Sequence, residues 1–238
     1  MSKLDNCGPF LNPYTAFIND VNVMDHGALV ESFKVSGSPI VNNFFQGRNR
    51  TSFAELAYSI GMKTITLSLV LAASTRRQLT MHKSVLDALM VGKIELHMPD
   101  GFYYTAVLQA SGDLEMIGVE DNELIAKCSY TFSGIQHDAL QTVEGNTLVA
   151  AGTMPRMDCI LSCTTSQAYP SIQVGQVTFK NVASGAVLVA DGINGRILVN
   201  NTPAAQTAEF TRLPYLVPGE QTITCPETLT VQYYPAWI

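Results

Sequence analysis

Charge is scarce in this chain: Asp, Glu, Lys and Arg make up 14% of its 238 residues, against about 25% in ordinary soluble domains. A surface short of charge is less costly to bury, which points to extensive protein contacts and an obligate oligomer. Basic residues are scarcer still, 14 against 20 acidic ones for a net charge of -6, with no basic run longer than Arg76-Arg77. Affinity for a nucleic-acid backbone needs clustered Lys and Arg, so the balance argues against tight DNA or RNA binding. Long apolar runs are missing as well. Lys63 and Thr75-Arg76-Arg77 bracket the most apolar segment, too short for a membrane span, so no membrane insertion is expected. Residues 1–9 contain no apolar leader segment, and the expectation is folding in a reducing cytoplasm.

Catalytic motifs are also absent. There is no Gly-x-Ser-x-Gly elbow, no phosphate-binding Gly-x-x-x-x-Gly-Lys-Ser/Thr loop and no dinucleotide fingerprint. The four histidines, His26, His82, His97 and His137, fall in no His-Glu-x-x-His or His-x-Glu frame and read as structural. The five cysteines are Cys7, Cys128, Cys159, Cys163 and Cys225, an odd number at scattered spacings. Cys159 and Cys163 would share one side of a strand, too far apart for easy bridging. A zinc site needs four converging ligands, and this loose pair has no matching partner. Buried reduced thiols are the expectation for all of them. No catalytic residue, cofactor or metal is implied. Asn49-Arg50-Thr51 and Asn200-Asn201-Thr202 match the glycosylation sequon, but without a secretory leader they carry no meaning.

What remains is a chain rich in strand patterns; hydrophobic residues make up 47%, enough for one large or two modest cores. Tyr14 to Val21 reads as a first strand, with shorter ones at Val30 to Val35 and Ile40 to Phe45. Met62 to Ala73 is the clearest: Ile65, Leu67, Leu69 and Leu71 share one face, and Thr64, Thr66 and Ser68 the other. Thr75-Arg-Arg-Gln78 fits a capping box opening a helix. Leu79, Leu86, Leu89 and Met90 recur at helical spacing, and Gly92 supplies a left-handed stop. Lys93 to Met98, a Pro99-Asp100-Gly101 turn and Tyr103 to Ala110 follow. Leu124, Ala126, Cys128, Tyr130 and Phe132 then alternate inward.

Residues Ser133 to Gln141 read as a linker, after which the pattern changes to short strands: Met157 to Thr164, Gln176 to Asn181, Ala186 to Ala190 and Ile193 to Asn200. Asp191-Gly192 and Asn194-Gly195 are turn signals. A Pro218-Gly219 turn leads into a final hairpin of Gln221 to Cys225 and Thr228 to Tyr234. Leu229, Val231 and Tyr233 lie on one face of its second strand, Thr230 and Gln232 on the other. The expected fold is mainly β with one principal helix: a first domain over residues 1–134, a linker at 135–141 and a β-sandwich over 142–238.

Three groups of residues stand out. Ser36 to Thr51 has turn formers at both ends and apolar Ile40, Val41, Phe44 and Phe45 in its middle, which reads as an exposed arm or, alternatively, a core hairpin. As an arm it would contact a neighbouring subunit, with Phe44 and Phe45 as anchors and Arg48 and Arg50 as polar rim. Asp113, Glu115, Glu120, Asp121 and Glu123 form an acidic loop whose spacing is not that of a calcium site. A solvated loop is the plain reading; the functional one is repulsion of DNA phosphates. Trp237, the single tryptophan, reads as a packing or docking residue.

The phrase Leu213-Pro-x-Leu-x-Pro-Gly-x-x-x-Ile223, with Val231-x-Tyr-x-Pro-x-Trp237 after it, resembles the end of the siphophage distal tail protein family. The order of motifs before it is similar too: Ile65-x-Leu-x-Leu-x-Leu71, the helix end Leu86-Asp-Ala-Leu-Met-Val-Gly-Lys93, Tyr104-x-Ala-x-Leu108 and Tyr130-x-Phe132. The resemblance covers nearly the whole chain. It implies an N-terminal, tail-tube-like domain that closes a six-membered ring and a galectin-like C-terminal sandwich. The implied role is a non-enzymatic virion protein joining the tail tube to the baseplate or tail-tip hub. DNA would pass through the ring without specific binding, Asp113, Glu115, Glu120 and Asp121 lining the bore. The implied partners are further copies of the chain, the major tail tube protein, the tail-tip hub or tail-associated protein, and the tape measure or receptor-binding proteins. Assembly would take place in the bacterial host cytoplasm. The alternative is a glycan-binding module for host attachment. Against it, the His-x-Asn-x-Arg run that galectins use for sugar does not occur in residues 140–238.

Overall fold

The computed structural model describes residues 15–46, 48 and 51–238. It divides into two compact units between Gln136 and His137. The first is built on the strand Lys63–Ala73, whose odd-numbered residues are buried and whose even-numbered ones are half-buried or exposed. That alternation follows from the period of two of a pleated strand. Ile65, Leu67, Leu69 and Leu71 are fully excluded from water, each stabilising the fold by roughly 1.5–3 kcal/mol. On one side the strand pairs antiparallel with Glu123–His137, from Leu124 opposite Ala73 to Gly134 opposite Lys63. On the other it pairs antiparallel with Ala28–Val35. Beyond Glu123–His137 the sheet continues through Tyr103–Ser111, Lys93–His97, Phe17–Ile18 and Val21–Asn22.

The helix Arg76–Leu89 begins where the capping residues place it. Thr75 is extended and its hydroxyl accepts from the Gln78 backbone N–H at 3.2 Å. The capping box is only half made, because Gln78 Oε1 accepts from the Ser74 and Thr75 hydroxyls rather than from a backbone donor. Leu79, Leu86 and Met90 are fully buried, and Gly92 adopts a left-handed φ of 84°. A polar knot fastens the helix to the sheet. Asp87 Oδ1 accepts from Lys83 Nζ at 3.1 Å, Ser111 Oγ at 3.2 Å and Tyr130 OH at 2.9 Å. The Lys83 ammonium also lies 5.5 Å from the centre of the Tyr130 ring. Burial, first, and the contacts with Cys128 and Asp87 raise the pKa of the Tyr130 phenol, so it stays a hydrogen-bond donor.

Three expectations for this unit need correction. Tyr14 lies outside the described residues, and the rest of the stretch read as a strand to Val21 is not one strand: Phe17–Ile18 and Val21–Asn22 form a tight hairpin. Asn19 and Asp20 turn it with φ of 50° and 66°, a conformation that Asn and Asp tolerate. Asn19 then holds the turn in place, accepting from the Glu95 N–H and donating to the Leu89 carbonyl. Second, the chain after the Ser36 to Thr51 segment continues as a strand, Ala54–Ile60, that the sequence reading left out. Third, the segment read as a linker, Ser133 to Gln141, is strand at both ends, because Glu123–His137 runs through its start and Gln141–Glu144 takes up its end.

In the second unit one sheet runs in the order Gln141–Glu144, Thr230–Tyr233, Met157–Thr164, Val187–Asp191, Arg196–Val199 and Thr202–Pro203. Tyr169–Val174, Val177–Val182 and Ala208–Phe210 form another, and Thr147–Ala150 pairs with Gly219–Thr222. Leu148, Leu161, Ile172, Phe179, Leu188 and Val231 belong to a single hydrophobic cluster, so these sheets share one core. The described residues of this unit contain no helix.

The expected final hairpin is not formed. Gly219–Thr222 pairs with Thr147–Ala150, whereas Thr230–Tyr233 lies between Gln141–Glu144 and Met157–Thr164. Asn146 enforces the crossing. Its side chain donates to the Cys225 and Glu227 carbonyls at 2.8 and 3.0 Å and accepts from the Leu229 N–H at 3.0 Å. The inward face read for the second of these strands holds: Leu229, Val231 and Tyr233 are fully buried.

The turn after Val187–Asp191 yields two predictions. Gly192 donates to the Cys159 carbonyl at 2.9 Å, and a Cβ there would stand 2.2 Å from the Pro214 carbonyl oxygen. Gly192→Ala must therefore displace backbone, and a destabilisation of about 1–3 kcal/mol is expected in denaturant unfolding. The buried Asp191 carboxylate accepts from Asn194 N, Asn194 Nδ2 and Arg196 Nη2 at 2.8, 2.9 and 3.1 Å. Burial alone would raise its pKa, but the Asn194 and Arg196 contacts outweigh burial and lower it. A carboxyl depressed in the folded state stabilises the fold above its unfolded value, about 3.9, and loses that contribution as pH falls through the folded value. Asp191→Asn should thus cost about 1–3 kcal/mol at neutral pH. Thermal melts of variant and wild type should converge below about pH 4.

Candidate functional site

The segment singled out as an arm is a two-stranded ribbon, Ile40–Phe45 paired with Ala54–Ile60. These two strands form a separate sheet, and every described residue from Ile40 to Ser59 is exposed. Ile40 pairs with Ile60 and Asn42 with Tyr58, while Val41 faces Ser59 and Asn43 faces Ala57. Adjacent residues point to opposite faces, so Ile40 and Val41 present apolar surface on both sides of the ribbon. The register shifts between Asn43 and Phe44, a bulge that bends and twists the outer half. Past it, Phe44 meets Phe53 edge to face with ring centres 5.6 Å apart.

Phe44 is 60% and Phe45 63% exposed, so the core-hairpin alternative is excluded. Large apolar side chains on both faces of an isolated ribbon are the kind of surface that proteins otherwise hide. Arg48 is exposed near the tip, and Arg50 lies outside the described residues. The sequence reading missed the second strand, whose Phe53, Leu56 and Tyr58 are 66%, 69% and 55% exposed. Leu56, Tyr58 and Ile60 recur at a spacing of two, a strand signal masked by the preceding turn formers.

The acidic loop is in fact a β-hairpin. Glu115–Glu120 pairs antiparallel with the start of Glu123–His137. Asp121 and Asn122 make the turn with φ of 48° and 66°, a left-handed pair suited to a two-residue hairpin. Asp113, Glu115, Glu120, Asp121 and Glu123 are all exposed, spread along the hairpin rather than gathered at one point. Glu115 stands opposite Lys127, whose ammonium is 2.5 Å from the Glu31 carboxylate. Met116, Ile117 and Val119 between the acids are exposed too, Val119 by 67%.

Trp237 is half-buried, and its indole N–H donates to Asp138 Oδ2 at 3.1 Å. Among the histidines, His97 stacks on Tyr103 at 4.2 Å, and burial, against nearby acids, lowers its pKa. His82 Nδ1 is buried close to where a Cβ on Gly27 would stand. Cys128, Cys159 and Cys163 are buried free thiols, and Cys225 is half-buried; Cys7 lies outside the described residues. Among the described residues no three His, Cys, Asp or Glu side chains converge as metal ligands, and no helix is long and apolar enough to cross a membrane.

No protein-family model matches the chain, and no curated protein sequence does. Solved structures do. The Dit (gp 19.1) protein of phage SPP1, described as a paradigm of the hub adsorption apparatus in phages infecting Gram-positive bacteria, is similar with a TM-score of 0.71. The identity is 10%, over 95% of this chain and 100% of that one. A chain of the phage P2 baseplate in its activated conformation with calcium is similar with a TM-score of 0.52. Its identity is 11%, over 93% of this chain and 97% of that one. A strontium form of the baseplate gives 0.50 and 12%, over 94% and 98%. Identities this low establish likeness of fold. Along nearly its whole length the chain has the fold of phage Dit and baseplate hub proteins, the family that its sequence resembles.

Proposed function

We propose that this protein is a structural component of a phage tail, a ring at the distal end that joins the tail tube to the baseplate or tail-tip hub. The observation that carries this reading is the likeness of fold to the SPP1 hub protein, which spans the whole of that chain. The low charge and the apolar ribbon support it from the protein's own chemistry. Six copies would close the ring through the first unit, each ribbon seated on a neighbouring subunit or on the tail tube protein. Phe44 and Phe45 anchor that contact, and Ile40, Val41 and Arg48 surround them. Burial of each anchor is worth roughly 1.5–3 kcal/mol before the cost of association.

The hairpin acids Asp113, Glu115, Glu120 and Asp121 would face the bore. Carboxylates repeated around a ring repel phosphates, which lets DNA pass without sticking. The second unit, of galectin-like type in this reading, offers docking surface to the tail-associated and receptor-binding parts, with Trp237 near its end. The mechanism is assembly, and no catalytic step belongs to it. The glycan-binding alternative gains little from Trp237, because its half-buried ring is already tied to Asp138.

The test is the double substitution Phe44→Ala and Phe45→Ala. Both rings are exposed in the single chain, so the variant should keep its circular dichroism and unfold within about 0.5 kcal/mol of wild type. Complementation of a phage lacking the gene should fail, with tails that end without a baseplate in electron micrographs. Normal tails would remove the anchor role, and an unfolded variant would contradict the exposure. Reconstruction of the assembled tip should show six copies, and any other symmetry overturns the ring.

A further inference from the structure

Two exposed parts of the first unit each carry one apolar face. In the ribbon, Ile40 stands opposite Ile60, Asn42 opposite Tyr58 and Phe44 opposite Glu55. Residues directly opposite each other share a face, so Ile40, Phe44, Tyr58 and Ile60 lie together. Phe53 joins them through its edge-to-face contact with Phe44. The reverse face sets Ser59, Ala57 and Ala54 opposite Val41, Asn43 and Phe45, so the aromatic surface is concentrated on one side. The acidic hairpin is two-faced as well. Val119 is opposite Leu124 and Met116 opposite Ala126. Ala126 is part of the core and Leu124 packs against it, so Val119 and Met116 carry the apolar face of the sheet outward into solvent. On the reverse face Glu120 is opposite Glu123 and Glu115 opposite Lys127. Glu120 and Glu123 repel each other across their pair, and among the described residues no ion pair reaches either of them or Asp121.

We propose that the aromatic face of the ribbon seats on the apolar face of the acidic hairpin in the next copy of this chain. This rests on the tail-ring reading and names the surface that the ribbon meets. Three observations select that occupant. Both faces stand uncovered in the single chain: Phe44, Phe53 and Tyr58 are 60%, 66% and 55% exposed, and Val119 67%. The charges match, since Arg48 is exposed near the ribbon tip with no ion pair among the described residues, and the hairpin tip gathers Glu120, Asp121 and Glu123 without a cation. Arg48 of one copy, set beside Glu120 and Glu123 of the next, relieves their repulsion. The acids still outnumber it, so the tip stays negative toward DNA. The area fits a ring better than a single pair. Covering the exposed parts of the three rings removes roughly 300–450 Å² from water, about half of the ~800 Å² per partner of a stable interface. Each copy both gives a ribbon and receives one, which doubles the surface it buries. Ribbon and hairpin are different patches, so the contact is heterologous and repeats from copy to copy until the ring closes.

The experiment follows ring formation by the full chain, as light-scattering mass in solution and as tail tips in micrographs after complementation of a phage lacking the gene. Val119→Glu, altered at an exposed position, should keep its thermal midpoint and lose the ring. Arg48→Glu should weaken assembly several-fold at low salt, and Glu120→Arg in the same chain should restore it. Met81→Glu, on the exposed side of the helix Arg76–Leu89, should leave the ring intact. A ring that survives Val119→Glu, or no recovery in the paired reversal of Arg48 and Glu120, would overturn the proposal. A ring lost in Met81→Glu but kept in Val119→Glu would move the seat to the helix and overturn it equally. If the ring falls to the Phe44→Ala, Phe45→Ala double substitution yet withstands Val119→Glu, the tail-ring reading stands and the hairpin contact alone is wrong. Wild-type protein with no six-copy assembly, in solution or on the tail, would overturn both.

Discussion

The first unit depends on one strand being held on both sides. Lys63–Ala73 can keep its leucine face dry only because Ala28–Val35 and Glu123–His137 satisfy its backbone on either edge. A slip of one residue along either ladder would turn Ile65, Leu67, Leu69 and Leu71 outward and the threonines inward. The helix depends on the same register. Asp87 reaches Ser111 and Tyr130 only if those strands present their hydroxyls at the right height. Tyr130 stands opposite Leu67, so the residue that fastens the helix is itself paired with the middle of the strand that the helix covers.

The second unit solves a different problem. It has no long strand to organise it, and its sheets are tied by single residues at the crossings. Asn146 is one such tie and Asp191 another: Asn146 donates to and accepts from chain that forms no ladder at that point, and Asp191 closes its turn by accepting from Asn194 and Arg196. Buried or half-buried polar groups with complete hydrogen bonding give a loop one conformation where apolar packing alone leaves several. Such ties also decide which sheet a strand joins, as Asn146 does for the two strands that flank Cys225.

The periodic parts of the fold were legible in the sequence. Ile65 to Leu71 and Cys128 to Phe132 alternate without interruption, and the Thr75 cap and Gly92 stop bracket the helix from within its own sequence. Met157 to Thr164 was read with its observed ends. What could not be read was decided over distance. Nothing local to Gln221 or Thr230 says that they join different strands, because Asn146, far upstream, makes that choice. The Asn19-Asp20 turn was hidden in an apolar stretch, and turn formers around Ser36 and Gly47 obscured the Ala54–Ile60 strand. The exposed arm was half-legible: Phe44 and Phe45 showed as apolar residues among turn formers, but Leu56 and Tyr58 lie in the strand that the sequence reading left out.

The bulge in the ribbon has one more consequence. A plain two-stranded ribbon can shift its pairing by two residues and keep the same side chains on the same faces. One extra residue in Ala54–Ile60, opposite the step from Asn43 to Phe44, removes that freedom, since any shift must also move the bulge to residues not shaped for it. The ribbon therefore has a fixed reach. Its aromatic end stands at a constant number of residues from the sheet that carries it, which makes it a ruler as well as a surface.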